Sequence, residues 1–175
     1  ENHIEPEDKS YQKVYDESIL CHHNEISEYI KINYPDIDVH KMNIVIGSYN
    51  YEYFPREEYL DKDSFYNFCF YDHFYLVCLM LDYIIDDVEY QIHDIYPNWE
   101  IMYTPLIGAS LNNNINIVKL LINRPEVDVN AIGIQTTDTG EQNEMSCLRA
   151  AITNRNIELI EILLKNKKID VNLRL

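Results

Sequence analysis

The amino-acid sequence predicts an all-α solenoid of about four helix–turn–helix repeats with enlarged loops between them. Three observations support this prediction: a composition that favours helices, an internal repeat at one fixed offset, and apolar side chains spaced by about 3.6 residues. Only 4 glycine and 6 proline residues occur among 175, which is few for a sandwich or barrel that must turn after every strand. The length suits one domain or a short array of repeats.

Two segments of the chain repeat each other at an offset of 42 residues without a gap. Residues 104–131 read TPLIGASLNNNINIVKLLINRPEVDVNA, and residues 146–172 read SCLRAAITNRNIELIEILLKNKKIDVN. The match runs from Thr104 on Ser146 to the DVN of 128–130 on the DVN of 170–172. Self-similarity of this kind indicates a repeat architecture.

Each repeat unit predicts two short helices joined by a break. Thr104 and Ser146 can cap the start of a first helix, and Pro105 is tolerated at a first helical position because that amide needs no partner. The asparagines at 112–114 can adopt the left-handed conformation that ends a helix. The apolar stripe at 117–121 then predicts the second helix.

The two units resemble the ankyrin-repeat family. The resemblance lies in TPL at 104–106, VKLL at 118–121 and DVN at 128–130, and in LL at 163–164 and DVN at 170–172 of the second unit. Ile107 and Arg149 replace the family's usual histidine, and Asn113 and Arg155 replace the glycine of the break. The resemblance implies an ankyrin-type solenoid in which the enlarged loops are the fingers.

Weaker copies of the same pattern lie upstream, at 63–81 with a break at Asp72-His73 and at 13–31 with a break at His22-His23. We expect these copies to fold with the clear pair, because at least three repeats are generally needed to bury a continuous core. The predicted organisation is an acidic N-terminal arm at 1–10, degenerate repeats at 11–40 and 61–95, a connecting insertion at 41–60, ankyrin repeats at 99–132 and 145–175, and a finger hairpin at 133–144.

Two long connections depart from the usual repeat length. Ile132 and Ile134 alternate with small or polar residues before a turn signal at 138–140, which predicts an extended hairpin with its tip there. The connection from Val39 to Lys62 contains an apolar run and several aromatic residues. The sequence leaves open whether it adds a helix or a hairpin.

The formal net charge of −16 excludes some classes of partner. Nucleic acid and anionic membranes need a net-basic face, and the only cationic cluster is at 165–168. We expect a basic or apolar protein or peptide instead. The chain starts without a secretory signal, the apolar region 68–85 is interrupted by Asp72, His73 and Asp82, and the four cysteines form no CxxC pair, so we expect an intracellular, cytoplasmic protein.

No catalytic, cofactor or metal site is predicted. The four glycines are scattered, so no phosphate loop can be built. Cys21-His22-His23 has no second ligand pair at a suitable spacing, and Cys69 falls at a small-residue core position where a thiol is inert. The carboxylates at 82, 86 and 87 lack the glycine and final glutamate of a calcium loop.

The ankyrin resemblance implies a non-catalytic scaffold or adaptor that binds a protein on its concave face. The residues carried over to that face are Tyr59, Leu60, Phe70, Tyr71, Trp99, Ile101, Tyr103, Leu111, Asn112, Gln142, Asn143, Met145, Thr153 and Asn154. Two alternatives stay open: self-assembly through an uncapped terminal repeat, and an enzyme with its site in residues 1–100.

Overall fold

The computed structural model describes residues 11–37, 42–53, 62–81, 92–96, 99–137 and 139–173, with backbone alone at 42, 43, 51, 62, 63, 92–96 and 99–101. The chain divides into two compact units, residues 1–60 and 61–175. Each unit is described by itself. None of the helices in the described ranges is long and apolar enough to cross a membrane.

Short helices are more numerous than strands in the described residues of both units. The first unit contains α1 (Gln12–Leu20), α2 (Asn24–Asn33), α3 (Met42–Ser48) and a 3-10 helix (Tyr51–Tyr53). The second unit contains α4 (Lys62–Phe70), α5 (Phe74–Leu81), β1 (Ile92–Tyr96), β2 (Trp99–Tyr103), α6 (Pro105–Leu111), α7 (Ile115–Leu121), β3 (Gly133–Thr137), β4 (Gln142–Met145), α8 (Cys147–Thr153) and α9 (Ile157–Lys165).

Four helix pairs are broken in the same way. A single residue with positive φ stands between α1 and α2, between α4 and α5, between α6 and α7, and between α8 and α9. These break residues are His22 (φ 59°), Asp72 (62°), Asn113 (61°) and Arg155 (55°). One residue in the left-handed conformation is enough to end the first helix, so the second helix can begin shortly after it. Because the four breaks are equivalent, they serve as a common reference for comparing positions between pairs.

The predicted helix starts are present. The Thr104 side chain accepts a hydrogen bond from the backbone N–H of Ile107 at 3.3 Å, and the Ser146 hydroxyl accepts one from Arg149 at 3.2 Å. Pro105 occupies the first helical position of α6. These bonds satisfy amides that have no partner inside the helix.

The sequence left open whether the connection from Val39 to Lys62 adds a helix or a hairpin. It contains helix α3, which resembles the first helix of a repeat. Helix α3 packs on α1 and ends at Ser48, and the next residue, Tyr49, has a φ of 56°. The Asn50 side chain then donates to the carbonyl of Ile19 at 3.0 Å. In the second unit, Asn114 makes the same bond to the carbonyl of Cys69 at 2.8 Å. We therefore interpret α3 as the first helix of a further unit, with its break at Tyr49-Asn50.

The all-α prediction needs a correction, because the second unit also contains a four-stranded antiparallel sheet. Its order is β1-β2-β3-β4, with Ile92 opposite Tyr103, Trp99 opposite Thr137, and Gly133 opposite Met145. The fingers are long enough to be strands, and pairing them satisfies backbone groups that a loop would leave to water. The helices remain the larger part of the described residues.

Stacked first helices form the core of the second unit. Helix α6 packs between α4 and α8. Phe68, Ala109 and Ala151 occupy the same place relative to their breaks, and all three side chains are fully buried. The second helices add Val118, Leu121, Leu159 and Leu163, which are equally buried. This stacking aligns the ends of the first helices beside the sheet.

Candidate functional site

An aromatic and aliphatic cluster lies where the first helices meet the sheet. Its buried members are Tyr66 of α4, Tyr103 of β2 and Ile107 of α6, and three partly buried side chains pack against them: Phe70, Leu111 and Met145. Tyr66 and Phe70 stack with ring centroids 5.8 Å apart. Four elements therefore contribute to one apolar patch.

Close approach of two helices positions this cluster. A Cβ atom built on Gly108 would lie 2.8 Å from Cε2 of Tyr66, which is closer than side-chain atoms can pack. A Cβ atom on Gly133 would lie 2.4 Å from Cδ1 of Tyr103 and 2.6 Å from the carbonyl oxygen of Met102. The absence of a side chain at these two glycines leaves room for both tyrosine rings.

Asparagine side chains fasten the helix ends around the patch. Asn112 donates to the carbonyl of Phe70 at 2.9 Å, and Asn154 donates to the carbonyl of Leu111 at 2.6 Å. Phe70 and Leu111 are the last residues of α4 and α6. Each asparagine thus caps the helix of the preceding pair, so the surface is held by bonds that cross from one pair to the next.

The predicted surface residues fall into three groups. Tyr59 and Leu60 lie outside the described residues, and only the backbone of Trp99 and Ile101 is described, in β2. Tyr103 is 6% exposed, so its ring supports the surface from beneath. The remaining residues are exposed or partly buried, and we call them the helix–sheet surface: Phe70, Tyr71, Leu111, Asn112, Gln142, Asn143, Met145, Thr153 and Asn154.

Two buried members of the cluster were not among the residues predicted for the binding surface. Tyr66 and Ile107 are buried and lie one helical turn before Phe70 and Leu111. Periodicity assigns such residues to a core, but it does not indicate which core residues underlie an exposed patch. The close approach of Tyr66 to Gly108 depends on the stacking of α4 on α6, which the sequence does not show.

Two of the free cysteines, Cys69 and Cys147, are buried. Burial raises the pKa of Cys69 well above its usual value, and it raises the pKa of Cys147 to about 12. The Cys147 thiol donates to the carbonyl of Val129 at 3.2 Å. A nucleophilic cysteine needs a lowered pKa and access to substrate, and neither thiol has them.

The histidines at the breaks have structural contacts. His73 is buried and packs edge-on against Phe68 at 5.7 Å, and a ring nitrogen of His22 lies 2.9 Å from the carbonyl oxygen of Ser48. Within the described ranges, no three side chains of the metal-binding types come together. The carboxylates at 82, 86 and 87 lie outside those ranges.

An open cleft of about 410 Å³ lies at the C-terminal ends of α7 and α9. Arg124, Lys165 and Lys168 line it together with Ile122 and Ile162. Arg124 is 3.7 Å from a carboxylate oxygen of Glu126, and the two lysines make no ion pair within the described residues. The sequence showed the lysine cluster, but only the stacking of α9 beside α7 brings Arg124 to it.

Repeated helix pairs with one common break, fastened to their neighbours by side chains, define a helical-repeat protein. The model for ankyrin repeats in three copies matches residues 68–174. The chain belongs to the ankyrin-repeat family. Ankyrin repeats are generally protein–protein interaction modules and are typically non-catalytic. A search of curated proteins gives no match.

Proposed function

We propose that this chain is a non-catalytic scaffold or adaptor that binds a protein partner on the helix–sheet surface, the concave side of an ankyrin-type solenoid. The observation that carries the proposal is the convergence of Phe70, Leu111 and Met145 on one patch beside exposed polar side chains. Trp99, Ile101 and Tyr103 of the same unit belong to the proposed site.

The patch has the composition of a protein interface. Productive interfaces combine an apolar centre, often aromatic, with a polar rim that is accessible to water. Phe70 and Tyr71 contact each other edge to face at 5.0 Å and supply aromatic surface. Gln142, Asn143 and Asn154 are exposed around the centre and can donate and accept hydrogen bonds.

Preorganisation supports the same proposal. The bonds from Asn112 and Asn154 hold the ends of α4 and α6 in place before any partner arrives. A surface that is already ordered loses less conformational entropy on binding. We therefore expect the free and bound forms of residues 104–154 to differ little.

Charge indicates the chemistry of the partner. The net charge of −16 favours a basic or apolar peptide or domain and disfavours nucleic acid and anionic membranes. Since the free cysteines include two buried thiols, we place this activity in the cytoplasm, where thiols stay reduced.

Affinity capture with paired variants tests the proposal. We expect Gln142→Lys with Asn143→Lys to lose the partner, because two cations in the rim repel a basic ligand. Asn116→Lys with Asn123→Lys makes the same charge change on exposed residues of the second-helix side and should retain it. With the purified partner, calorimetry should show at least about a tenfold rise in Kd for the first pair, equal to about 1.4 kcal/mol.

Salt provides an independent measurement of the same interaction. Raising the ionic strength from 0.05 to 0.5 M should slow association with a basic partner, because screening weakens long-range attraction. The proposal fails if both variant pairs bind the purified partner as the wild type does.

A further inference from the structure

The net charge is distributed very unevenly along the chain. Residues 104–175 contain eight acidic and eight basic side chains, so the whole net charge of −16 lies in residues 1–103. Exposed charges that are more than about 10 Å apart are largely screened from each other at an ionic strength of 0.1 M. A local group of cations in residues 104–175 can therefore attract an anion, although the chain as a whole is acidic.

The open cleft at the C-terminal ends of α7 and α9 brings three cationic side chains together. Arg124, Lys165 and Lys168 line it, and no acidic residue of the described ranges lines it with them. Arg124 is partly offset by Glu126, whose carboxylate oxygen lies 3.7 Å away. Both lysines are exposed, and neither head group donates a hydrogen bond or forms an ion pair in the part of the chain that the structure describes. The lysines therefore do not cap the helix ends, and their two charges face the cleft without a partner there.

Hydrogen bonds join the two sides of the cleft. The Asn166 side chain donates to the carbonyl of Ile122 at 3.0 Å, and its side-chain oxygen accepts from the backbone N–H of Lys168 at 2.9 Å. The Asn130 side chain donates to the carbonyl of Lys168 at 2.8 Å. The backbone around the cleft is therefore fixed before a ligand arrives, which lowers the entropy lost on binding.

The carbonyl groups at the C-terminus of a helix carry partial negative charge and oppose an anion. At the end of α7, the carbonyls of Lys119, Leu121 and Ile122 already accept hydrogen bonds. At the end of α9, the carbonyl of Leu163 accepts one from the backbone of Asn166. A bonded carbonyl leaves less negative charge facing the cleft, so the cationic side chains determine its sign.

Apolar side chains share the cleft with the cations. Ile122, Pro125 and Ile162 also line it. Its volume of about 410 Å³ lies within the range of pockets for small ligands, about 300 to 1,000 Å³. An inorganic anion would use only the cationic part of this lining, and an uncharged apolar group would use only the rest. A ligand that joins an anion to an apolar body fits both parts.

We propose that this cleft binds an aryl phosphate monoester, with the phosphate at Lys165 and Lys168 and the ring against Ile122 and Ile162. A phosphate monoester carries a charge of about −1.5 to −2 at pH 7 and has three acceptor oxygens, so it can bind two ammonium groups at once. A carboxylate carries a single charge. A phosphotyrosine side chain of a protein partner has this chemistry. The cleft shares no residue with the helix–sheet surface, so the proposal does not depend on the proposed function.

Titration of the whole chain with phenyl phosphate, followed by NMR of the backbone amides, tests the proposal. We expect a Kd of about 1 mM and the largest shift changes around Ile122, Asn166 and Lys168. Inorganic phosphate lacks the ring, and benzoate has the ring with only one charge. Each of them should bind at least about tenfold more weakly than phenyl phosphate, because it uses only part of the cleft.

Paired variants distinguish the cleft from the general charge of the chain. Lys165→Gln with Lys168→Gln should weaken phenyl phosphate binding at least about tenfold, because both unpaired cations are removed. Lys167→Gln with Arg149→Gln makes the same change in net charge outside the lining and should bind as the wild type does. All four side chains are exposed, so the midpoint of chemical unfolding should match the wild type and exclude misfolding.

A phosphotyrosine peptide and its unphosphorylated form identify the source of the ligand. We expect the phosphorylated peptide to bind at least as tightly as phenyl phosphate, and the unphosphorylated peptide to cause no shift changes at the cleft. A phosphorylated peptide that binds more weakly than phenyl phosphate would overturn the protein source and support a free aryl phosphate as the ligand.

Three outcomes would overturn the site itself. The first is the absence of shift changes at the cleft up to about 10 mM phenyl phosphate. The second is equal affinity for phenyl phosphate and for benzoate or inorganic phosphate, because charge and ring would then not act together. The third is an equal loss of affinity in the two variant pairs, because overall charge would then be the cause.

Discussion

The third and fourth helix pairs have the same local structure but different surroundings. Both first helices start at a hydroxyl cap, and both breaks have a residue with φ near 60°. Val129 and Val171 lie at equivalent places, yet their exposed fractions are 3% and 62%. Neighbouring hairpins, rather than the repeat pattern, therefore decide how much each residue contributes to stability. Paired substitutions at equivalent positions can measure that difference.

The largest contrast is expected at the two valines. Val129→Asp places a carboxylate in a buried site without a partner and should lower the free energy of unfolding by about 3 kcal/mol or more. Val171→Asp changes an exposed side chain and should stay within about 0.5 kcal/mol. Guanidinium unfolding at low protein concentration measures both. Equal losses would show that the fourth pair does not cover the third.

A smaller contrast is expected at the two asparagines. Asn130→Ala removes two hydrogen bonds to the next hairpin and should cost about 1 to 2 kcal/mol, since a typical bond contributes about 1 kcal/mol. Asn172→Ala removes no side-chain bond within the described residues and should cost almost nothing. The same unfolding experiment measures the pair. Equal values would mean that the Asn130 side chain does not fasten the hairpins together.

The smallest effect at neutral pH concerns the Cys147 thiol, which lies at the junction of the third and fourth helix pairs. Cys147 is buried, and burial raises its pKa to about 12, so it should react with a thiol reagent at least about 100-fold more slowly than exposed Cys21. Mass spectrometry of labelled peptides follows both residues. Val129→Asp should speed labelling of Cys147, because it loosens the junction.

The raised pKa also predicts a pH dependence of stability. Below pH 9 the thiol is protonated in the folded and unfolded chains, so Cys147 contributes its full stabilisation. Between pH 9 and about 12 the unfolded thiol ionises first, and stability should fall by up to about 1.4 kcal/mol per pH unit. In Cys147→Ala, the loss of unfolding free energy per pH unit should be smaller by this amount. An identical slope in the two proteins would mean that the Cys147 thiol is exposed to water in the folded chain.

The candidate surface was only partly predictable. Asn112 and Asn154 follow from their places beside the breaks, and both lie on the helix–sheet surface with the bonds described above. Tyr103 looked like an exposed aromatic residue at the end of a finger, but it is buried beneath the patch. Exposure depends on which element covers a residue, and a single sequence does not contain that information.

Local chemistry determined the helix pairs by itself. The caps at Thr104 and Ser146, the proline at the start of α6 and the asparagine break at 113 each act within a few residues, so their signals are contiguous in the sequence. The offset of 42 residues adds that two such units are equivalent. Family, helix starts and the helical core of residues 104–173 follow from these features.

Only the tertiary structure decided the long-range pairings. Strands β2 and β3 pair Trp99 with Thr137, across 38 residues that include a complete helix pair. The bond that supports our interpretation of α3 as part of a repeat joins Asn50 to the carbonyl of Ile19, 31 residues earlier. Both contacts form between elements that are distant in the sequence, and their free energy comes from satisfying backbone groups that no local pattern reveals.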